Sequence, residues 1–162
     1  MDAAVYPGSF DPITNGHVDI IERGAQMVDK LDIVVLVNQN KKPMFSLEER
    51  MDMIYHSVKH LDNVEVHFFE GLLVKYLKKN NIKYIIRGLR AMSDFENEFQ
   101  MALMNKKQCD LVETIFLVSK VEYSYLSSSA VKELANFEGN IEDLVPEYVN
   151  EKVVEKVKGG KK

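Results

Sequence analysis

The stretch of sequence that decides the fold reads Tyr6-Pro7-Gly8-Ser9-Phe10-Asp11-Pro12-Ile13-Thr14-Asn15-Gly16-His17. A short apolar run, Ala3-Ala4-Val5, precedes it and predicts a first β-strand. The apolar spacing that follows it, from Val18 to Val28, favours a helix. The stretch is therefore predicted to be a strand-to-helix loop, which is where open α/β folds bind their ligands.

The side chains of this loop suit an anion. Gly8 and Gly16 allow close backbone approach or a positive φ, and Ser9 and Thr14 offer hydroxyl groups. His17 lies at the start of the predicted helix, where free N–H groups and the helix dipole favour negative charge. Gly, Pro, Asn and Asp are also the commonest turn residues, so the spacing alone leaves both a phosphate site and an ordinary turn open.

Length and composition limit the class of protein. The chain has 162 residues, enough for one domain, and 46% of them are apolar. A net charge of −4 disfavours a general nucleic-acid-binding protein. The single Cys109 can form neither an internal disulfide nor a cysteine zinc site. With no signal peptide and no long apolar run, we expect a cytoplasmic protein with no nucleic-acid or membrane partner.

Strand and helix patterns alternate along the chain. After the first strand, apolar and β-branched runs predict strands at residues 31–37, 64–69, 82–86 and 113–118. Between and after them, helical patterns occupy residues 46–58, 72–80, 93–107, a stretch after Ser129 to about residue 137 and a stretch from 146, with capping boxes at Ser46 and Ser93. This order predicts an α/β fold: one Rossmann-like domain over 1–158, with a five-stranded parallel sheet, helices on both faces and a frayed tail at 159–162.

Three further polar clusters follow predicted strands. They are the lysine loop at 38–45, Arg87-Gly88-Leu89-Arg90, and the serine run at 123–129. Lysine and arginine bind phosphate as a point charge and as a planar fork, and a helix N-terminus also favours phosphate. Solvated lysines, surface arginines and helix caps would show the same residue types. However, the carboxyl ends of parallel strands meet at one edge of a sheet, so the clusters are expected to form a single site.

Several of these motifs resemble a known family. Thr14-x-Gly16-His17 resembles the T/H-x-G-H signature of the nucleotidyltransferase superfamily. The whole first stretch, the segment from Ile86 to Ala91 and the lysine loop resemble the phosphopantetheine adenylyltransferase family, and the likeness extends from about residue 4 to about residue 147. The serine run with Lys132 resembles the second superfamily signature. The serine run departs from that signature at two positions: Leu126 replaces the usual isoleucine, and Tyr123 stands where related enzymes often have tryptophan. In the first stretch, Ser9 stands where some members have threonine.

The resemblance implies a nucleotidylyl-transferase-type fold and adenylyl transfer from ATP to 4′-phosphopantetheine. The products would be dephospho-coenzyme A and pyrophosphate, formed in coenzyme A biosynthesis by direct in-line attack without a covalent enzyme intermediate. Mg²⁺ would be carried with ATP, the assembly would be a homohexamer, and coenzyme A would be a feedback inhibitor. The implied catalytic residues are His17, Lys41, Arg87 and Arg90.

The resemblance also implies two sets of binding residues. The acceptor would be bound by Ser9, Lys41, Leu73 and Arg87. ATP would be bound by Ser9, Phe10, His17, Gly88, Leu89, Arg90, Glu98, Tyr123, Ser124, Tyr125, Leu126, Ser127, Ser128 and Ser129. No residue is expected to form a dedicated metal site, since His56, His60 and His67 lack metal-ligand spacing with carboxylates.

Two alternatives remain open. One is a nucleotidyltransferase with another acceptor, such as nicotinate mononucleotide or glycerol phosphate. The other is an ATP-binding α/β sensor without catalytic activity. The apolar spacing of the helices also predicts that Leu72, Leu73, Met101, Leu103 and Met104 belong to the core.

Overall fold

The computed structural model describes residues 2–37, 42–90 and 92–160, except the side chains of Met92 and Ser93. Its centre is one sheet of five parallel strands in the order β3-β2-β1-β4-β5. The strands are β1 Ala3–Gly8, β2 Lys30–Val37, β3 Val64–Glu70, β4 Tyr84–Leu89 and β5 Glu113–Val118. The predicted five-stranded parallel sheet is confirmed.

Helices connect the strands and close the chain. They are α1 Asn15–Ala25, α2 Leu47–Val58, α3 Leu73–Asn80, α4 Met92–Gln108, α5 Ser128–Asn136 and α6 Glu147–Gly160, with a single 3₁₀ turn at Val121–Tyr123. Lys161 and Lys162 lie outside the described residues, so the domain limit at 158 stays a prediction. In the part of the chain that is described, no helix is long and apolar enough to cross a lipid bilayer.

Neighbouring residues of a strand point to opposite faces of the sheet, and helices pack on both faces. Ile33 and Ile86 pack in the larger core, with the apolar faces of α1, α2, α5 and α6. Val34 and Ile85 pack in a second core with Val74 and Leu77 of α3. The predicted arrangement of helices on both faces is confirmed.

The fourth strand differs from its prediction at both ends. β4 begins at Tyr84 rather than at residue 82, because Asn81 adopts a left-handed conformation and the Ile82 N–H donates to Leu77 O in the turn that ends α3. It ends at Leu89 rather than at residue 86, so Arg87 lies within the strand rather than after it. The capping box at Ser46 is confirmed, whereas the one at Ser93 stays a prediction because that side chain lies outside the described residues; α4 begins at Met92.

The expectation of core positions for several apolar side chains is wrong. Leu72 is 59% exposed, and Met101, Leu103 and Met104 of α4 are 53%, 56% and 55% exposed. Leu73 is half-buried and packs against the second core. A 3.6-residue apolar period indicates that a helix has an apolar face, but it does not say whether this chain or another covers that face.

Between β1 and β4, the connections leave two neighbouring strands in opposite directions along the sheet. From β1 the chain moves outward to β2 and β3, then crosses back to place β4 on the other side of β1. The pairing of β1 with β4 covers Ala4 with Tyr84 and Val5 with Ile85, whereas β1 remains paired with β2 as far as Gly8. This is the topological switch point of the sheet, where a crevice opens between the strand ends.

The buried face of α3 provides a test of the second core. Leu77 is fully buried, so Leu77→Ala is expected to lower the free energy of unfolding by about 2–5 kcal/mol through lost burial and a residual cavity. Leu72→Ala, just before the same helix, is the matched control and should change it by less than about 0.5 kcal/mol. Urea unfolding at a fixed protein concentration measures both; equal losses would contradict this packing.

Candidate active site

A cavity of about 610 Å³ lies at the switch point. It is lined by the end of β1 and the loop after it, the first turns of α1 and α5, the end of β4, and one face of α4. Eleven of the residues predicted for the site line it: Ser9, Phe10, His17, Arg87, Gly88, Arg90, Glu98, Leu126, Ser127, Ser128 and Ser129. The predicted convergence of the motifs at one sheet edge is therefore observed for the first stretch, the arginine cluster and the serine run.

His17 is held by the residue that caps its own helix. The Thr14 N–H donates to His17 Nδ1 at 3.0 Å, and the His17 N–H donates to the Thr14 hydroxyl oxygen at 3.3 Å. Because Nδ1 accepts a backbone N–H, it carries no proton, so the neutral ring has its proton on Nε2. His17 can therefore offer Nε2–H to a ligand in the cavity.

The surroundings keep His17 uncharged. Burial, followed by the positive charges of Arg90 and Arg87, lowers the pKa of His17 from 6.5 to about 4. At neutral pH the side chain is thus a hydrogen-bond donor through Nε2 rather than an acid. Such a donor can stabilise charge that develops on a phosphate without transferring a proton.

The Phe10 ring packs against the His17 ring. Its ring meets His17 edge to face at a centroid distance of 5.2 Å and meets Tyr6 at 5.6 Å. Phe10 is 2% exposed and has a positive φ of 48°, an uncommon conformation for a bulky residue. A Cβ atom on Gly8 would lie only 2.9 Å from the Phe10 ring, so Gly8 provides the space for this ring.

Arg87 bridges the two strands where they part. Its Nη1 donates to the Pro7 carbonyl at 2.6 Å, while Nε and Nη2 donate to the two carboxylate oxygens of Glu98. Burial alone would lower the pKa of the guanidinium, but the Glu98 carboxylate raises it above its usual value. Among the described residues, these bonds use three of the five N–H groups of the guanidinium, so two are available for a ligand.

Arg90, three residues after Arg87, makes a similar set of contacts. Its Nε donates to Asp94 at 2.8 Å, and its Nη1 donates to the Leu126 carbonyl at 2.9 Å. Arg90 therefore ties α4 to the loop that leads into α5. In this arrangement each cavity arginine is oriented by a carboxylate of α4 and by a backbone carbonyl, that of Pro7 in β1 for Arg87 and that of Leu126 in the loop before α5 for Arg90.

The serine run has a more specific arrangement than the sequence indicated. Ser127 is the N-cap of α5, and its hydroxyl accepts the Ala130 N–H at 3.1 Å. Ser128 lies in the first turn and donates to the Pro12 carbonyl at 2.7 Å, which fastens α5 to the first loop. Ser129 also lines the cavity, so the first turn of α5 directs backbone N–H groups and a hydroxyl towards the ligand space.

Asp11 joins this loop to two other segments. Its carboxylate accepts the N–H groups of Met44 at 2.9 Å and Phe45 at 3.0 Å, and it accepts the Lys132 ammonium at 2.8 Å. The loop is also held by Arg50, whose Nη1 donates to the Ser9 carbonyl at 2.9 Å. The first loop is thus fixed to both α2 and α5.

The remaining predicted residues do not line the cavity or are not described. Lys41 lies outside the described residues, so its role stays a prediction. Leu73 packs against the second core, and the cavity lining does not include the other four, Leu89, Tyr123, Ser124 and Tyr125. Ser124 donates its hydroxyl hydrogen to the Val121 carbonyl within the 3₁₀ turn, at 2.8 Å.

Three polar residues of the lining were missed by the sequence analysis. Asp94 and Asn97 lie on the cavity face of α4 with Glu98, and helical spacing of three and four residues could have grouped them. Ser119 follows β5, and its hydroxyl is buried without a hydrogen-bond partner. No pattern in the sequence distinguishes that serine from an ordinary loop residue.

The described carboxylates near the cavity are each paired with a cation: Glu98 with Arg87, Asp94 with Arg90 and Asp11 with Lys132. A second acidic group, Asp32 and Glu65 with His67, could hold a cation near the amino ends of the strands, away from the cavity. There the ammonium of Lys30 lies 3.3 Å from Asp32 and 2.8 Å from Glu65, where a metal ion would bind. The expectation that His67 has no carboxylates at metal-ligand spacing is therefore wrong, because Asp32 and Glu65 lie beside it.

Comparison with known proteins agrees with this geometry. The family model described as cytidylyltransferase-like matches residues 5–134. The phosphopantetheine adenylyltransferase of Dictyoglomus thermophilum is 61% identical, with 96% of this chain and 95% of that protein covered. The one from Carboxydothermus hydrogenoformans is 60% identical, with 96% of each chain covered. The solved nicotinic acid mononucleotide adenylyltransferase of Plasmodium falciparum shares the fold, with a TM-score of 0.67 at 15% identity over 98% of this chain and 95% of that one.

The fold and the cavity at its switch point are those of a nucleotidyltransferase, and the family match places the chain in the cytidylyltransferase-like class. Within that class, the near-complete coverage and high identity show that the chain belongs to the phosphopantetheine adenylyltransferase family. The family expected from the motifs is thereby confirmed.

The lowered pKa of His17 predicts a pH dependence of stability. In the unfolded chain His17 takes up a proton near pH 6.5, whereas in the folded protein it does so near pH 4. Stability is therefore lost as pH falls from about 7 towards 4, and His17 contributes on the order of 2 kcal/mol of that loss between pH 7 and pH 5.

Urea unfolding at these two pH values, for the wild type and His17→Gln, measures this contribution. The loss on acidification should be smaller in His17→Gln, whereas His60→Gln, which changes an exposed histidine, should behave as the wild type. If acidification destabilised His17→Gln as much as the wild type, the neutral, buried state of His17 would be refuted.

Proposed function

We propose that this chain transfers the adenylyl group of ATP to 4′-phosphopantetheine, giving dephospho-coenzyme A and pyrophosphate. The observation that carries the proposal is the neutral His17, fixed through Nδ1 by Thr14 and flanked by Arg87 and Arg90 at the switch point. Binding of a nucleotide alone would not need a donor held in one tautomer. The names of the highly identical relatives support the choice of donor and acceptor.

The chain's residues would act by positioning and by stabilising charge. A phosphate oxygen of the acceptor attacks the α-phosphorus of ATP, and the bond from that phosphorus to the oxygen bridging to the β-phosphate breaks. Nε2–H of His17 donates to the α-phosphate as negative charge develops in the transition state. No side chain needs to act as a nucleophile.

The cations would reduce repulsion between the two phosphorylated reactants. Arg87 keeps two N–H groups for the acceptor phosphate, and Lys41 would bind the same phosphate. Arg90 keeps three N–H groups for the phosphates of ATP. The first turn of α5, with Ser128 and Ser129, would hold the pyrophosphate that leaves.

Mg²⁺ would arrive with ATP rather than reside on the protein. The carboxylates at the cavity are balanced by cations, which fits a metal ion held by phosphate oxygens and water. When bound, the ion would neutralise charge on the leaving pyrophosphate. The protein would contribute the binding of the phosphates that carry it.

Regulation by coenzyme A and a cytoplasmic location belong to the same proposal. Coenzyme A contains the pantetheine arm of the acceptor and the adenine nucleotide of the donor, so it would compete for the same cavity. A reaction of soluble phosphorylated intermediates, together with one half-buried free cysteine, supports a reducing cytoplasm.

The test of function is pyrophosphate release by the purified protein with ATP and Mg²⁺. 4′-Phosphopantetheine is the expected acceptor, with unphosphorylated pantetheine and nicotinate mononucleotide as controls. Release with nicotinate mononucleotide would keep the enzyme class but overturn the acceptor. ATP binding without release for any acceptor would favour the sensor.

His17→Ala tests the proposed donor. We expect kcat to fall by about 10²–10³-fold, with a modest change in ATP affinity, because the lost hydrogen bond acts mainly in the transition state. His17→Gln, which keeps an amide N–H, should recover part of the loss, and His60→Ala should match the wild type. Normal turnover by His17→Ala would refute the mechanism.

The exposed apolar side chains of α4 support the proposed homohexamer. Phe95, Phe99, Met101, Leu103 and Met104 are 39–56% exposed on one chain, more apolar surface than a single helix usually leaves to solvent. Sedimentation equilibrium is expected to give six times the chain mass. A purely monomeric species at micromolar concentration would contradict this assembly.

A further inference from the structure

Asp11 has no part in the mechanism above, although it lies in the middle of the first loop. It is 7% exposed, and it lies two residues after Ser9 and six before His17. A buried carboxylate is costly unless its lone pairs are satisfied and its charge is balanced. Its contacts therefore indicate why an acidic side chain is needed at this position.

Both oxygens of Asp11 are used by segments that are remote in sequence. Oδ1 accepts the Phe45 N–H at 3.0 Å, and Oδ2 accepts the Met44 N–H at 2.9 Å. The Lys132 ammonium donates to Oδ2 at 2.8 Å and balances the charge. One carboxylate thus joins the first loop, the segment before α2 and the second turn of α5.

Only a carboxylate satisfies these donors together. Two N–H groups and one ammonium require three acceptor lone pairs directed from two oxygens, which an ionised aspartate supplies. The amide of asparagine has one acceptor oxygen, and its NH₂ group would face a backbone N–H. Burial opposes ionisation, but the bonds from Lys132, Met44 and Phe45 lower the pKa of Asp11 below its usual value.

The segment bonded to Asp11 is the continuation of the lysine loop. Met44 is three residues beyond Lys41, and Phe45 is 2% exposed and packed in the larger core. Fixing Met44 and Phe45 therefore fixes the end of the chain segment that carries Lys41. At the same carboxylate, Lys132 fixes the helix whose first turn faces the cavity.

We propose that Asp11 is a positioning residue that anchors the end of the lysine loop against the first loop, and so sets the acceptor side of the cavity. The inference rests on the proposed function, because Lys41 is assigned there to the acceptor phosphate. Asp11 acts through the backbone of residues 44 and 45 and does not touch the reactants.

Asp11→Asn tests this role with the intact protein. The Michaelis constant for 4′-phosphopantetheine is expected to rise about tenfold, the size expected for one lost charge-assisted hydrogen bond. That for ATP should change less than twofold, because the Ser128 hydroxyl still fastens α5 to the Pro12 carbonyl. Hydrogen exchange at the Phe45 amide should accelerate about tenfold, because its acceptor is lost. Exchange at the Arg50 amide, which donates to Ser46 O within α2, should stay unchanged.

Asp32→Asn is the matched control. Asp32 is also a buried carboxylate with a cationic neighbour, but it lies near the amino ends of the strands, where it accepts the Tyr76 hydroxyl at 2.8 Å. Its substitution is expected to lower stability without changing either Michaelis constant. This separates positioning from general loss of folded protein.

The outcomes distinguish this inference from the proposed function. Equal increases in both Michaelis constants, or unchanged exchange at Phe45, would overturn the role of Asp11 even if the enzyme uses 4′-phosphopantetheine. If the product assay identifies another acceptor, faster exchange at Phe45 with a selective effect on that acceptor would still support the anchor. Should Asp11→Asn not fold, Asp11→Glu keeps the charge but displaces the segment, and the same selective effect is expected.

Discussion

The parting of β1 from β4 is the constraint on which the site depends. Beyond Val5 and Ile85 the backbones no longer pair, so the polar groups of the last residues of β1 need other partners. Proline at position 7 has no N–H, and its carbonyl accepts the Arg87 guanidinium. A single side chain therefore closes the gap at one end while leaving a crevice above it, and the first loop, α4 and α5 all border that crevice.

Around this crevice the structure controls which groups carry charge. Burial, followed by the charges of Arg90 and Arg87, keeps His17 neutral, and the hydrogen bond from the Thr14 N–H to Nδ1 places the ring proton on Nε2. Burial raises the pKa of Tyr6 to about 12, so its hydroxyl is also uncharged at neutral pH. The positive charges at the cavity are thus confined to residues with fixed orientation, which suits reactants whose phosphates must meet in line.

The sequence was sufficient for the sheet, its parallel order and the meeting of the motifs, because the strand runs are strongly β-branched and parallel strands share a common edge. It was insufficient where local and tertiary effects compete. Ile82 has strand propensity, but Asn81 adopts a left-handed conformation, and the Ile82 N–H donates to Leu77 O in the turn that ends α3. Apolar spacing on α4 could not tell a covered face from an exposed one, and Asp94 and Asn97 resemble ordinary solvated helix residues until the cavity is seen. Ser127 caps α5 although the serine run departs from the superfamily signature at Leu126 and Tyr123.

The pairing of each cavity cation with a carboxylate has a consequence for the cost of binding. Arg87, Arg90 and Lys132 are balanced by Glu98, Asp94 and Asp11, so these six described side chains together add no net charge beside the cavity. The guanidinium groups have lost part of their hydration and side-chain freedom before any reactant arrives. An entering phosphate meets preorganised donors, and little of its binding energy is spent on ordering them.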